Sequence, residues 1–153
     1  MAAKSDYLEN KLLDVILRAQ SLVVGTSTLS WGTVPTVYIG LNSAASTDAA
    51  AGTEAVGGSY ARQPIVCSLA NISGTQGTGT TLASSGTDGT VENNNPVVFT
   101  NMPAVTLVGF TIWDALTAGN MLFHAPLTGQ PIAVVAASTV TFAANALTVQ
   151  EDN

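Results

Sequence analysis

The chain carries almost no positive charge. Its 153 residues include four Lys and Arg against ten Asp and Glu, a net charge of −6 at pH 7, and one histidine. After Arg18 there is no lysine, and Arg62 is the only base. Nucleic-acid binding needs clustered bases that displace counterions from phosphate, so this composition speaks against it. Adsorption to an anionic membrane surface is disfavoured on the same ground. No stretch approaches the roughly 20 apolar residues of a membrane span. The run Leu12-Leu13-Asp14-Val15-Ile16-Leu17-Arg18 is broken by charges and preceded by acids, which does not suit a secretory signal. A soluble cytosolic product is expected.

Cysteine is equally scarce. Cys67 stands alone and closes no internal disulfide. Within Ile65-Val66-Cys67 it reads as a small buried apolar group. A reactive thiol would want a basic neighbour or a helix start. The single His124 excludes metal sites built on two or three histidines, and Cys67 has no CxxC partner. A Ser-His-Asp arrangement would have to use His124, which sits in the strand-like Leu122-Phe123-His124-Ala125; a satisfied structural histidine is the stronger reading. No G-x-S-x-G, Walker loop or dinucleotide fingerprint is present. Gly74, Gly77 and Gly79 are followed by neither a lysine nor a helix, which argues for a loop rather than a phosphate cradle.

Glycoside hydrolysis needs two acids facing each other across a cleft. Asp48, Glu54, Asp88, Glu92 and Asp114 qualify only by being acids, and all but Asp114 lie in loop-like sequence. Asp114, before Thr117-Ala118-Gly119-Asn120, is better explained by an Asx-type turn bond. Trp31 and Trp113 have faces that suit a sugar ring. Trp113 alternates with Thr111 and Gly109, which favours core packing; Trp31, beside Gly32 in a loop, is less firmly assigned to the core. No catalytic residue, metal ligand or cofactor-binding residue is assigned, and the protein is not expected to be an enzyme.

What the chain does have is an unequal distribution of charge. Lys4, Asp6, Glu9, Lys11, Asp14 and Arg18 all fall within the first eighteen positions. Ser5 is a plausible N-cap, and Asp6 complements the helix dipole in the first turn. Leu8, Leu12 and Ile16 recur every four residues with Leu13 and Leu17 beside them, the 3.6-residue period of an amphipathic helix over about residues 6–20. Asp14 and Arg18 form an i,i+4 pair expected on the opposite, solvent side, worth about 0.3 kcal/mol.

Beyond the helix the period becomes 2. Strands are expected at residues 36–41, 59–67, 97–100, 105–113, 121–125, 132–135, 139–142 and 147–150, separated by Gly, Pro and Asn turn signals. Residues 73–95 are mostly Gly, Thr and Ser and read as a long excursion or a loose hairpin. No internal repeat is evident. The expected architecture is mainly β, a jelly-roll-like antiparallel β-sandwich with one N-terminal α-helix. Residues 1–21 form the amphipathic helix and residues 22–153 a single β-sandwich domain with a loop at 73–95. A chain of this length buries a core without staples. Only 9% of it is charged. Charged residues are depleted at interface cores, so much of the surface is expected to face other protein.

Several segments resemble one family. They are the start Met1-Ala2-Ala3-Lys4-Ser5-Asp6-Tyr7-Leu8-Glu9-Asn10-Lys11-Leu12-Leu13-Asp14, then Thr36-Val37-Tyr38-Ile39-Gly40-Leu41, Gly57-Gly58-Ser59-Tyr60-Ala61-Arg62-Gln63 and Phe142-Ala143-Ala144-Asn145-Ala146-Leu147-Thr148-Val149. Gly109-Phe110-Thr111-Ile112-Trp113-Asp114-Ala115 and Gly119-Asn120-Met121-Leu122 fit as well. The chain resembles small tailed-phage virion proteins, often labelled tail-fibre proteins, some of which resemble capsid decoration or cement proteins. The stretch 73–95 departs from shorter members. The resemblance implies a non-enzymatic virion component made in the host bacterial cytoplasm.

Capsid decoration, with contacts to neighbouring major-capsid subunits, is the first functional expectation. A tail-fibre or receptor-binding module contacting a host glycan is the second. By analogy with cement proteins, a homodimer or homotrimer is expected, with neither nucleic acid nor membrane as partner. Tyr7, Leu8, Leu12, Leu13, Ile16 and Arg62 are the subunit-contact candidates. Arg62 also has a local reading, as the partner of a nearby acid or of backbone carbonyls. If the Leu8/Leu12/Ile16 face packs across subunits, removing residues 1–20 loses assembly and leaves the β-body folded. If that face covers its own sandwich, removal unfolds it.

Overall fold

The computed structural model describes residues 3–74, 83–87 and 89–151. The fold is mainly β with one helix and several antiparallel sheets, consistent with the expected β-sandwich class. The elements in chain order are α1 (Asp6–Arg18), β1 (Leu22–Val24), β2 (Ser27–Leu29), β3 (Thr36–Ala44), β4 (Thr53–Glu54), β5 (Gln63–Val66), β6 (Ile72–Ser73) and β7 (Thr90–Asn93). They continue with β8 (Val97–Phe99), β9 (Val105–Leu107), β10 (Gly109–Trp113), β11 (Met121–Pro126), β12 (Ile132–Val134), β13 (Val140–Phe142) and β14 (Thr148–Gln150). Contacts divide the chain into two compact units: Met1–Pro35 with Val66–Pro96 and Phe142–Asn153, and Thr36–Ile65 with Val97–Thr141. No helix among the described residues is long and apolar enough to cross a membrane.

The first unit contains α1, the β1–β2 hairpin and a three-stranded sheet in the order β14-β7-β6. Thr90-Val91-Glu92-Asn93 offers one apolar residue, so sequence pattern alone places β7 inside a loop. Its inward positions are Val91 and Asn93, so a buried amide replaces the second apolar side chain. Asn93 Nδ2 donates to the Asn95 and Ala143 carbonyls, and its Oδ1 accepts from the Leu147 amide. With its polar atoms satisfied, the amide is tolerated in the core and fixes the turn that feeds β14. The two ends of the expected excursion pair as β6 and β7, Ile72 opposite Asn93 and Ser73 opposite Glu92. Residues 75–82 and 88 of that excursion, Asp88 and Gly77 and Gly79 among them, lie outside the described residues. Cys67 is fully buried and in no disulfide.

The second unit is built on a sheet in the order β11-β10-β3-β4, with β5 also pairing β3. Val37, Ile39 and Leu41 of β3 are buried, as their alternation demands. The expected strand 105–113 divides at Val108. Its amide donates to the Asn42 carbonyl and its own carbonyl accepts from Leu127. β9 therefore pairs β12, while β10 joins β3 and β11. Gly109 makes the switch possible, because a Cβ there would stand 2.9 Å from the Ala125 carbonyl oxygen. The expected strand 59–67 shrinks to β5. Gly57 and Gly58 hold φ of 104° and 59°, a Cβ on Gly58 would approach the Asn101 oxygen to 2.3 Å, and Tyr60 closes a turn onto the Gly57 carbonyl.

Candidate functional site

Helix α1 starts after Ser5, which has extended backbone angles but makes no side-chain cap bond; its carbonyl accepts the first intrahelical bond, from the Glu9 amide. The helix stops at Arg18, earlier than the period suggests, because Ala19 adopts the left-handed conformation at φ 54°. Gln20 N–H then reaches back to the Asp14 carbonyl in a Schellman-type closure. Gln20 Nε2 satisfies the Arg18 carbonyl, and the Trp31 indole N–H satisfies the Val15 carbonyl. The last-turn carbonyls of a helix lack internal partners, so Trp31 serves as a helix-end donor.

The buried side of α1 includes Leu13 and Leu17 of the expected apolar face but extends into polar residues. Glu9, Asn10, Leu13, Asp14, Val15, Leu17 and Arg18 are buried, whereas Leu8, Leu12 and Ile16 remain half-buried. The Asp14–Arg18 pair, expected on the solvent side, has both side chains at 0% exposure and a 2.6 Å contact. Arg18 Nε donates to the Ile72 carbonyl at 2.9 Å, and Nη1 to Ser84 Oγ at 2.9 Å. Ser84 donates its amide and its hydroxyl to the Asp14 carboxylate, both at 2.7 Å. One ion pair thus holds Ile72, just before the long excursion, and Ser84, within it, against the helix. Among the described residues, Glu9 Oε2 and Asn10 Oδ1 are buried without a hydrogen-bond partner.

This arrangement sorts the sequence candidates. Leu13, at 0% exposure, belongs to the chain's own core. Tyr7 is exposed, and its hydroxyl donates to the Val23 carbonyl at 3.1 Å. Leu8, Leu12 and Ile16 form an apolar stripe on a helix whose other side is fixed. Removing residues 1–20 would also remove Leu13, Leu17 and the ion pair, so truncation tests folding of the first unit as much as assembly.

Arg62 lies in the second unit and has both of its local partners. Nε and Nη2 clasp the Glu54 carboxylate at 3.0–3.2 Å, and Nη1 donates to the Ala115 and Ala118 carbonyls at 2.9 and 2.7 Å. The guanidinium stacks 3.7 Å from the centre of the Trp113 ring. A planar fork can do all three at once, and an ammonium cannot. The Trp113 face is therefore occupied, and its N–H donates to Thr111 Oγ1 at 2.8 Å. Tyr60 completes the cluster: its hydroxyl donates to Glu54 Oε1 at 2.7 Å and accepts from the Leu41 amide at 2.8 Å. Gly40 leaves the space, since a Cβ there would stand 2.8 Å from Thr111 Oγ1 and 3.1 Å from Glu54 Oε1.

Burial pushes the Tyr60 phenol well above its ordinary pKa, with the Leu41 amide opposing and Glu54 adding to the rise. A proton held more tightly in the folded state stabilises it fully below the unfolded pKa, about 10 for tyrosine. That contribution declines as pH rises from there toward the folded pKa. Tyr60→Phe should therefore flatten the loss of stability above about pH 10, measured by urea titration across the alkaline range. A wild-type curve unchanged by the substitution would show that Tyr60 is not the group responsible.

A depression of about 410 Å³ opens beside this cluster, with Val56 and Leu116 among its lining residues. Its Glu54, Tyr60 and Arg62 side chains are already engaged with one another. Asp114 forms the expected turn, accepting from the Asn120 amide and side chain; these bonds lower its pKa. His124 Nε2 lies 3.2 Å from Asp48 on the surface. Glu54 and Glu92 are strand residues, unlike their loop reading. Among the described residues no cluster of His, Cys, Asp and Glu could hold a metal ion.

A family model described as the podophage GP4 fiber I protein gp80 matches residues 3–150. The chain belongs to this gp80 family. The match spans α1 and all of the strands described above, so the gp80 assignment rests on both compact units. It bears out the expected kinship with small tailed-phage virion proteins and makes the chain a phage virion structural protein of the fibre-named gp80 family. No curated protein matches the chain.

Proposed function

We propose that this gp80-family chain is a non-enzymatic structural subunit of the phage particle, held in place by protein–protein contact. The carrying observation is α1, anchored in its own unit on one side and leaving Leu8, Leu12 and Ile16 half-buried on another. A docked helix presents such a stripe without the entropy cost of ordering a free peptide on binding. Its partners are other virion subunits, with copies of itself in a homodimer or homotrimer, and neither nucleic acid nor membrane.

The sparse charge and the apolar stripe favour placement on the capsid, cementing neighbouring major-capsid subunits. The family's fibre name favours a second placement, as a fibre component contacting the host surface. Copy number in purified virions separates them. Decoration predicts a count close to that of the major capsid protein; a few copies per tail predicts the fibre. On either placement, Leu8→Glu with Leu12→Glu should leave the thermal transition within a few degrees and reduce incorporation into particles at least tenfold, about 1.4 kcal/mol of binding. Full incorporation of the double variant would remove the stripe from the account.

A further inference from the structure

The β1–β2 hairpin exposes several large apolar side chains in a stretch without charge. Val24, Leu29 and Trp31 are 66%, 59% and 48% exposed. No charged residue occurs from position 19 to position 47. The register places Val24 opposite Ser27 around the two-residue loop Gly25-Thr26, and Val23 opposite Thr28. The residues flanking a two-residue loop form a hydrogen-bonded pair, so the next pair turns its N–H and C=O groups outward. On β1 that outward carbonyl, Val23 O, is taken by the Tyr7 hydroxyl. On β2 all three residues are exposed, and no hydrogen bond from outside the hairpin reaches them among the described residues.

We propose that the outer edge of β2 pairs antiparallel with the same edge of a second copy of this chain. The inference deepens the oligomer part of the proposed function and rests on that reading only in supposing that copies associate. Three observations select a second copy as the occupant. An antiparallel edge is self-complementary across a two-fold axis: with Thr28 opposite Thr28 of the second copy, each outward N–H meets an outward C=O. The same symmetry brings the Ser27/Leu29 faces of both copies side by side, extending one apolar face across four strands. Two chains of net charge −6 repel, and this uncharged stretch lets them meet without opposing like charges. Native edges are commonly guarded by lysine, proline or a bulge, and Ser27-Thr28-Leu29 has none of these. Three residues supply few backbone bonds, so the contact is expected to be concentration-dependent.

Sedimentation velocity of the purified full-length protein over a wide concentration range tests this. The wild type is expected to shift from monomer to dimer with concentration. Thr28→Pro removes the outward N–H without touching the hydrogen-bonded Val24/Ser27 pair, and should shift the monomer–dimer midpoint at least tenfold upward with an unchanged thermal transition. Leu29→Lys should do the same by adding charge to the edge, which covers the case in which the proline variant fails to fold. Val56→Lys, on the second unit, should leave the equilibrium unchanged. A wild type that stays monomeric, or an oligomer that survives both β2 variants, overturns the proposal. Copy number in virions is measured separately, so failure here does not decide the proposed function, nor the reverse.

Discussion

Arg18→Met is expected to lower the unfolding free energy of the first unit by about 3–5 kcal/mol, the usual cost of leaving a buried charge without its partner. The carboxylate of Asp14 would remain at 0% exposure, with Ser84 its remaining partner among the described residues. The Ile72 carbonyl would lose its guanidinium donor as well. Against the 5–15 kcal/mol typical of whole domains, such a loss is large. Replacing both partners, Asp14→Leu with Arg18→Met, should recover much of it, because a well-packed apolar pair avoids the desolvation penalty. Urea unfolding followed by the fluorescence of Trp31, in a Trp113→Phe background, reads the first unit, since Trp31 is bonded to the end of α1. A loss below about 1 kcal/mol would mean that the pair is solvated in solution like an ordinary exposed i,i+4 pair.

Arg62→Ala should destabilise the second unit by about 2–4 kcal/mol, chiefly by stripping the donors from two carbonyls and a carboxylate. The upper end is tempered because the Glu54 side chain keeps 28% of its exposure and can rehydrate. Arg62→Lys is expected to recover less than half of the loss, since an ammonium cannot clasp Glu54, reach both loop carbonyls and cover the indole together. The Trp113 emission, in a Trp31→Phe background, should change in both variants as the guanidinium leaves its ring. If lysine restored full stability, the fork geometry would be irrelevant and plain charge would suffice.

The two clusters differ in how legible they are in the sequence. Arg62, isolated in an acidic, β-rich chain, invites the search for an acid and for carbonyls, and both are found. Asp14 and Arg18 are less legible, because an i,i+4 pair has the same sequence whether it faces solvent or core. What buries it is Ser84 and the Ile72 carbonyl, distant along the chain, and no local pattern shows them. Of the apolar face, Leu8, Leu12 and Ile16 stay half-buried, and the helix docks through Leu13, Val15 and Leu17 together with the polar seam. The β1–β2 hairpin is not legible in the sequence, because three-residue strands give too little alternation. The division of 105–113 at Val108 was hidden for a related reason: continuous β-propensity says nothing about which partner each half finds. The strand-rich class was legible because it needs only composition, period and turn residues.

The central claim, that the chain is a virion subunit working by protein contact through its first unit, is tested most directly by electron cryomicroscopy of purified particles. The expected map places Leu8, Leu12 and Ile16 against another protein chain, with the hairpin edge covered or paired. A map in which these surfaces face open solvent in every copy, or particles from which the protein is absent, would contradict it.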